Sequence, residues 1–393
     1  MNNTEKFLID VLRCFVTGTE TKLNTDGVDP QELLSLSKQH SVAGIVACIL
    51  SKQTAFWNKE AEKQFLKEYD RTLMQMLSRE SSAVELCHKL TQMNIPHIVF
   101  KGMTVSEAYP VAALRAYGDV DIIVKKDDVP IIRRLMTEEG FEHTLTDEGV
   151  VNAFKRGRER YDIHTALNVS NVNNAEFFSN IWENAVLRQG KTHVFNHNFH
   201  LIYLICHLEK HVYGSGAGVR MYLDIALYLK KFADELDLDF VRSTLERCGL
   251  GKFLCTVLYL CNKWFAVEIP SWVEPMEDKV YSGMWEFVFS GGVFGEQTKD
   301  DILRDDLRRE MASGKKGAKF RFIVRRMFPS SFELCRMYPR FEGKPLLIPC
   351  AWFCHIGNVI FTGKISKVKK VMNTDADVSS AKKEFLESIG SRR

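Results

Sequence analysis

Apolar residues in the first part of the chain recur three and four positions apart: Phe7, Leu8, Val11, Leu12 and Phe15, then Leu73, Met76 and Leu77, then Val84, Leu86 and Leu90. That is the period of an α-helix with one buried face, so residues 1–95 are expected to form a helical N-terminal region. Asp29 followed by Pro30 marks a helix start, because the Asp side chain can cap the first turn and Pro carries a suitable fixed φ there. Near residue 95 the pattern changes. His97-Ile98-Val99-Phe100 is a short apolar run between Pro96 and Lys101-Gly102 and reads as a buried strand. Val120 to Val124 reads as a second strand, and Asp127-Asp128 with Pro130 opens a helix that stops at Gly140. Phe141 to Leu145, Val150 to Phe154 and Arg160 to Leu167 read as three more strands. After residue 190 the helical period returns, in Leu201, Leu204, Ile205 and Leu208, then Leu223, Leu227 and Tyr228, then Leu254, Leu258 and Cys261.

This succession predicts an α+β protein. A small mixed-sheet domain spans 96–190, between the helical region 1–95 and a helical C-terminal domain 191–340; a helical segment and basic tail occupy 341–393. SGKKGAK at 313–319 reads as a loop, and the polar tail after Lys364 as mobile. At 393 residues the chain exceeds one ordinary core. Its 45% hydrophobic and 26% charged residues fit a soluble globular protein. A net charge of +3 is no strong nucleic-acid signal. The N-terminus lacks a secretory pattern, and no apolar stretch reaches the roughly 18 residues of a transmembrane helix, so a cytoplasmic protein without a membrane span is expected. The ten cysteines form no C-x-x-C pair and read as reduced thiols, and Cys350, Cys354 and His355 are poorly spaced for zinc. Leu346 to Phe361 is apolar and precedes Lys364, Lys367, Lys369 and Lys370. Membrane-surface contact near 346–370 fits that composition weakly; docking on the protein's own core is the favoured reading.

The chemistry concentrates in Gly118-Asp119-Val120-Asp121-Ile122-Ile123-Val124. In a strand, Asp119 and Asp121 share one face and Val120, Ile122 and Val124 the other. Two carboxylates about 7 Å apart repel each other unless a cation lies between them, and Mg²⁺ (or Mn²⁺) prefers such hard oxygen ligands. On that view Asp121→Asn relieves repulsion and leaves the metal-free fold at least as stable. On the later strand, Arg160, Asp162 and His164 share a face. Three carboxylates on neighbouring strands can hold two ions for an in-line displacement at phosphorus. D-x-D alone is weak evidence. The order of segments strengthens it: a strand ending in a glycine turn, a helix, the D-x-D strand, then a lone acid on a later strand.

That order resembles the DNA polymerase beta-like nucleotidyltransferase superfamily, and more closely a family of bacterial uncharacterised nucleotidyltransferases. The likeness rests on Phe100-Lys101-Gly102, Tyr109-Pro110, Arg115, Gly118 to Asp121 and Asp162-Ile163-His164. It continues at His207 to His211 and Gly218 to Asp224, and more weakly at Tyr338-Pro339 and Leu346 to Trp352. The resemblance implies a nucleotidyltransferase domain over 96–190, an NTP substrate with an unknown small or macromolecular acceptor, and Asp119, Asp121 and Asp162 as catalytic metal ligands. Where the superfamily has a Gly-Ser turn, this sequence has Lys-Gly. Gly102 would bring backbone amides to phosphate and Lys101 would add a charge; the competing reading has Lys101 capping the sheet edge in solvent. Arg115 is compatible with a phosphate contact or with pairing to Asp119 or Asp121. His164 suits a partner of the carboxylates, a general base, a stacking contact or a plain buried histidine. His207, Lys210 and His211 either line the cleft opposite the acids or pack the helix. H-x-x-x-H with Glu209 in the middle is no zincin. Arg220 and Asp224, four apart, read as a structural pair. Two rival classes stand beside the enzyme: a non-catalytic nucleotide-binding or scaffold protein on this fold, and a tRNA-modifying transferase.

Overall fold

A computed structural model describes residues 2–19, 22–52, 56–145, 151–167, 177–213, 216–291 and 384–391, together with 349, 350, 352 and 355. The chain divides into two compact units, Met1–Gly295 with Leu386–Arg393, and Glu296–Phe385. The second lies almost wholly outside the described residues. So do the loop expected at 313–319 and, isolated positions apart, the apolar run from Leu346 and the lysines after it.

Helices α1 (Asn3–Thr17), α2 (Pro30–Gln39), α3 (Ala43–Lys52) and α4 (Lys59–Gln92) precede the first strand. Their ends follow from local chemistry. Asn2 caps α1 by accepting from the Glu5 N–H, Glu5 returns a bond to the Asn2 N–H, and Gly18 ends the helix at φ +74°. Asp29 caps α2 by accepting from the Gln31 N–H, with Pro30 in the first turn. The apolar stripe of α1 is buried, from Phe7 and Leu8 to Phe15.

The sheet has seven strands in the order β3-β4-β5-β2-β1-β7-β6. They are β1 (His97–Phe100), β2 (Val120–Val124), β3 (Glu142–Leu145), β4 (Val151–Arg156), β5 (Glu159–His164), β6 (Ala185–Gln189) and β7 (Thr192–Phe195). β2 runs antiparallel to β1 and parallel to β5, and β1 runs parallel to β7, so the sheet is mixed. A short helix α5 (Gly102–Val105) follows β1, and α6 (Val129–Glu138) follows β2. α4 and α6 cover one sheet face: Leu86, Leu90, Ile132 and Met136 pack in one cluster with Val99, Val120, Ile122, Val124, Tyr161 and Ile163.

The opposite face, by the alternation of strand side chains, carries Phe100, Asp121, Ile123, Asp162 and His164. Helix α7 (His197–Tyr213) packs there, with Tyr203 edge-on to Phe100 at 5.5 Å between ring centroids. Helices α8 (Val219–Lys231), α9 (Leu238–Arg247), α10 (Gly251–Phe265) and α11 (Asp278–Gly291) complete the described helical part. Among the described residues, no helix is long and apolar enough to cross a membrane.

Two expectations need correction. The helical period is expected from residue 190, but 185–195 forms β6 and β7; periodicity does not mark them because β6 is an edge strand with Val186 and Leu187 both exposed and so carries no inside–outside alternation. The signal that marks them is Gly190, at φ +59° between the two strands, flanked by V-L-R-Q and K-T-H-V-F. The tail, expected to be mobile, ends packed: Leu386 and Ile389 are buried, Thr256 Oγ1 donates to the Ile389 carbonyl, and Ser391 Oγ donates to buried Glu209 at 2.8 Å. Burying Leu386 and Ile389 repays the ordering of a polar segment that periodicity alone marks as free.

Candidate active site

The register of the central strands brings the acids together. Asp121 on β2 pairs directly with Asp162 on parallel β5, and Phe100 on β1 pairs with Asp121 from the other side. Ligand atoms of Asp121, Asp162 and His164 all lie within 4.8 Å of one another. Asp121 is 3% exposed. Its Oδ1 accepts from Lys101 Nζ at 2.6 Å and lies 2.8 Å from His164 Nε2. An ionised carboxylate only accepts, so Nε2 of His164 carries the proton. His164 therefore holds Asp121 in place rather than offering that nitrogen to a cation, and its ring stands edge-on to Phe100.

The three acids differ electrostatically. Burial works to raise the Asp121 pKa, but Lys101 and then His164 outweigh it and hold it below the usual carboxylate value. Asp119 is raised, by burial first and then by the charge on Asp121. Asp162 is raised by burial, then by Asp119 and Asp121. Asp121 thus has its counter-charge, while Asp119 and Asp162 are strained anions. Burial alone would lower the Lys101 pKa, and Asp121 reverses that and raises it. Lys101 faces the acids rather than solvent. Its backbone adopts φ 54°, ψ −119°, a region that favours glycine and costs a side-chain-bearing residue on the order of 1–3 kcal/mol. That turn directs the ammonium back over β2.

Gly102 follows at once, and its α-carbon packs against an aromatic ring. A Cβ on Gly102 would fall 2.9 Å from Cγ of the Tyr117 ring. The residue is glycine because an aromatic ring fills the space. Gly102→Ala is accordingly expected to destabilise the protein by about 1–3 kcal/mol through overpacking, read as a lower urea midpoint, with Tyr117→Ser removing most of that penalty. Unchanged stability combined with weaker NTP binding would instead return Gly102 to the phosphate role.

Arg115 contacts none of the three acids. Its Nε and Nη2 donate to the two oxygens of Asp224 on α8, each at 2.8 Å, and its Nη1 donates to the Gly102 carbonyl at 3.0 Å. Tyr109 donates to Asp224 Oδ1 at 2.6 Å. Arg115 and Asp224 are both buried. Both readings of Arg115 made from sequence are corrected: the guanidinium is committed to a bidentate ion pair that clamps the Lys101-Gly102 turn to α8. Arg220 also reaches Asp224, with Nη1 at 3.4 Å, and its Nε has no hydrogen-bond partner among the described residues.

Helix α7 brings His207 and His211 toward the acids through a relay of rings. Tyr203 stacks on His207 at 5.8 Å, and His207 meets His211 edge-on at 4.6 Å. Burial, followed by the charge on Lys101, pushes the His207 pKa well down, and burial with Lys210 lowers His211 to about 4. Both imidazoles are therefore neutral near pH 7. Tyr203, absent from the sequence reading, is the residue that joins this helix to the acids, with its hydroxyl pKa raised to about 12 by burial. It lies four residues before His207, the spacing at which helix side chains stack.

A family model described as "Uncharacterised nucleotidyltransferase" matches residues 26–266. No curated protein and no solved structure matches the chain.

Proposed function

This chain belongs to the uncharacterised nucleotidyltransferase family, and from that membership we propose that it moves a nucleoside monophosphate from an NTP to an acceptor hydroxyl or phosphate. The observation that carries this reading is the meeting of Asp121, Asp162 and His164 within 4.8 Å on adjacent strands of one sheet face, with Asp119 two residues upstream. In the reaction the acceptor oxygen attacks the α-phosphorus, a hydroxyl acceptor giving up its proton to solvent, the bond to the α–β bridging oxygen breaks, and pyrophosphate leaves with that electron pair.

The donor set fits a hard divalent cation such as Mg²⁺ or Mn²⁺, since Asp119 and Asp162 are carboxylates raised by burial and by neighbouring negative charge. Asp119, Asp121 and Asp162 would hold it. When bound, such an ion offsets charge on the transferred phosphate and lowers the pKa of an acceptor hydroxyl. Asp162 orients the acceptor by accepting its hydrogen bond from the neighbouring strand. Lys101 and His164 keep Asp121 ionised and aimed, and Lys101 adds a fixed positive charge beside the leaving phosphates.

A second reading has one observation in its favour. Lys101 already neutralises Asp121 at 2.6 Å, an arrangement that also suits a protein binding nucleotide without turnover. Incubation with each α-labelled NTP, Mg²⁺ or Mn²⁺ and a cell extract separates the two. The enzyme transfers label to an acceptor, and Asp162→Asn does not. NTP binding with no transfer from any extract selects the non-catalytic reading, and absence of both binding and transfer overturns the proposal.

A further inference from the structure

A cavity of about 300 Å³ opens beside Gly118, next to Asp119, and four cationic side chains line it. Lys38 comes from α2, Arg71 and Arg79 from α4, and Arg220 from α8. Arg71 and Arg79, eight residues apart on α4, both reach the cavity. Glu68 takes both Lys38, at 2.9 Å, and Arg71, at 2.6 Å. One carboxylate for two cations leaves an excess of positive charge.

The other two are held in place without being neutralised there. Arg79 donates to the carbonyls of Tyr117 and Arg158, neutral groups that fix the guanidinium without cancelling its charge. Arg220 is the sharper case. Its side chain is 13% exposed. Asp224, its ion-pair partner among the described residues, already takes Arg115 through both oxygens and the Tyr109 hydroxyl. Burial lowers the Arg220 pKa despite Asp224. A buried cation with an unpaired N–H is destabilising unless something else supplies an acceptor.

We propose that this basic cavity binds phosphate groups, and that Arg220, Arg71 and Lys38 hold them beside Asp119 during transfer. The proposal rests on the nucleotidyltransferase reading for its role, and on the cavity alone for its ligand chemistry. The phosphates come either from the tail of the NTP or from a phosphorylated acceptor. Arginine suits both, because its planar fork meets phosphate oxygens in pairs.

The test uses the full chain and inorganic pyrophosphate as probe, with binding followed by calorimetry. Lys38→Gln/Arg71→Gln is expected to weaken pyrophosphate at least tenfold. Lys38→Gln/Glu68→Gln/Arg71→Gln is the second variant, since it leaves no buried carboxylate unpaired, and it is expected to weaken the probe equally. Arg220→Met is expected to lose binding while unfolding no more easily than the parent protein. Pyrophosphate that binds all three variants as it binds the parent, or that fails to bind the parent, overturns the proposal. The sources separate by competition: a methylene-bridged NTP analogue displaces pyrophosphate if the cavity holds the nucleotide tail, and binds alongside it if the cavity holds the acceptor. Mn²⁺ binding and label transfer are read in parallel. Transfer that persists with cavity-independent pyrophosphate binding sinks the cavity alone; cavity-dependent binding without Mn²⁺ binding or transfer sinks the transferase reading and leaves the cavity standing.

Discussion

Asp121→Asn lowers the stability of the metal-free protein by about 3–5 kcal/mol, the penalty for breaking a buried ion pair and leaving one partner behind. This reverses the sign expected from the D-x-D segment by itself, where removing one of two repelling carboxylates relieves strain. The difference is Lys101. Its side chain is 20% exposed, and its ammonium is bonded to an Asp121 side chain that is 4% exposed. Asparagine keeps the shape but withdraws the counter-charge, and His164 loses an ionised acceptor as well. Asp119→Asn is expected to behave in the opposite way. Burial and the charge on Asp121 both disfavour the Asp119 anion, so a neutral amide there leaves the protein level or more stable. Both variants are expected to lose label transfer. Equilibrium urea unfolding without added metal is the measurement, and Lys101→Met/Asp121→Leu is expected to recover most of the loss because it replaces the pair by apolar volume. Equal unfolding midpoints for Asp121→Asn and the parent would show that Lys101 finds another partner and that the pair is dispensable.

Asp224→Ala has a comparable effect for a different reason, and it acts away from the acids. It removes the carboxylate that satisfies two Arg115 donors and the Tyr109 hydroxyl, and that faces Arg220. Arg115 then remains buried with a single bond to the Gly102 carbonyl. The expected loss is about 3–5 kcal/mol. Tyr109→Phe is the control: it deletes one hydrogen bond and leaves the bidentate pair, for about 1 kcal/mol. If Asp224→Ala unfolds no more easily than Tyr109→Phe, Arg115 is held by something other than this pair. Where Asp224→Ala still folds, NTP binding is expected to weaken too, because the clamp on Gly102 fixes the turn that aims Lys101.

The sequence by itself determined the elements and the reactive face. Apolar residues three and four apart mark a buried stripe wherever they occur, so α1 and α7 are legible without tertiary knowledge. Alternation in D-V-D-I-I-V places Asp121 opposite Val120 and Ile122 in any strand, and Asp162 with His164 follows the same rule. Asp29-Pro30 announces a helix start because capping is a local bond. Tertiary structure decided what each charge is paired with. Nothing in the chain order says that Arg115 meets Asp224, 109 residues away, rather than Asp119 four residues away. Nor does it say that Lys101 turns inward to Asp121 or that burial keeps His207 neutral. The edge strand β6 was equally hidden, since its pairing with β7 rests on backbone bonds rather than on side-chain pattern. The physical reason is common to all of these. Local periodicity and capping depend on neighbours in sequence, whereas ion pairing and desolvation depend on which distant surfaces the fold presses together. The basic cavity beside Asp119 is the fullest case, since α2, α4, α8 and the segment before β2 each contribute side chains that carry no signal until they meet.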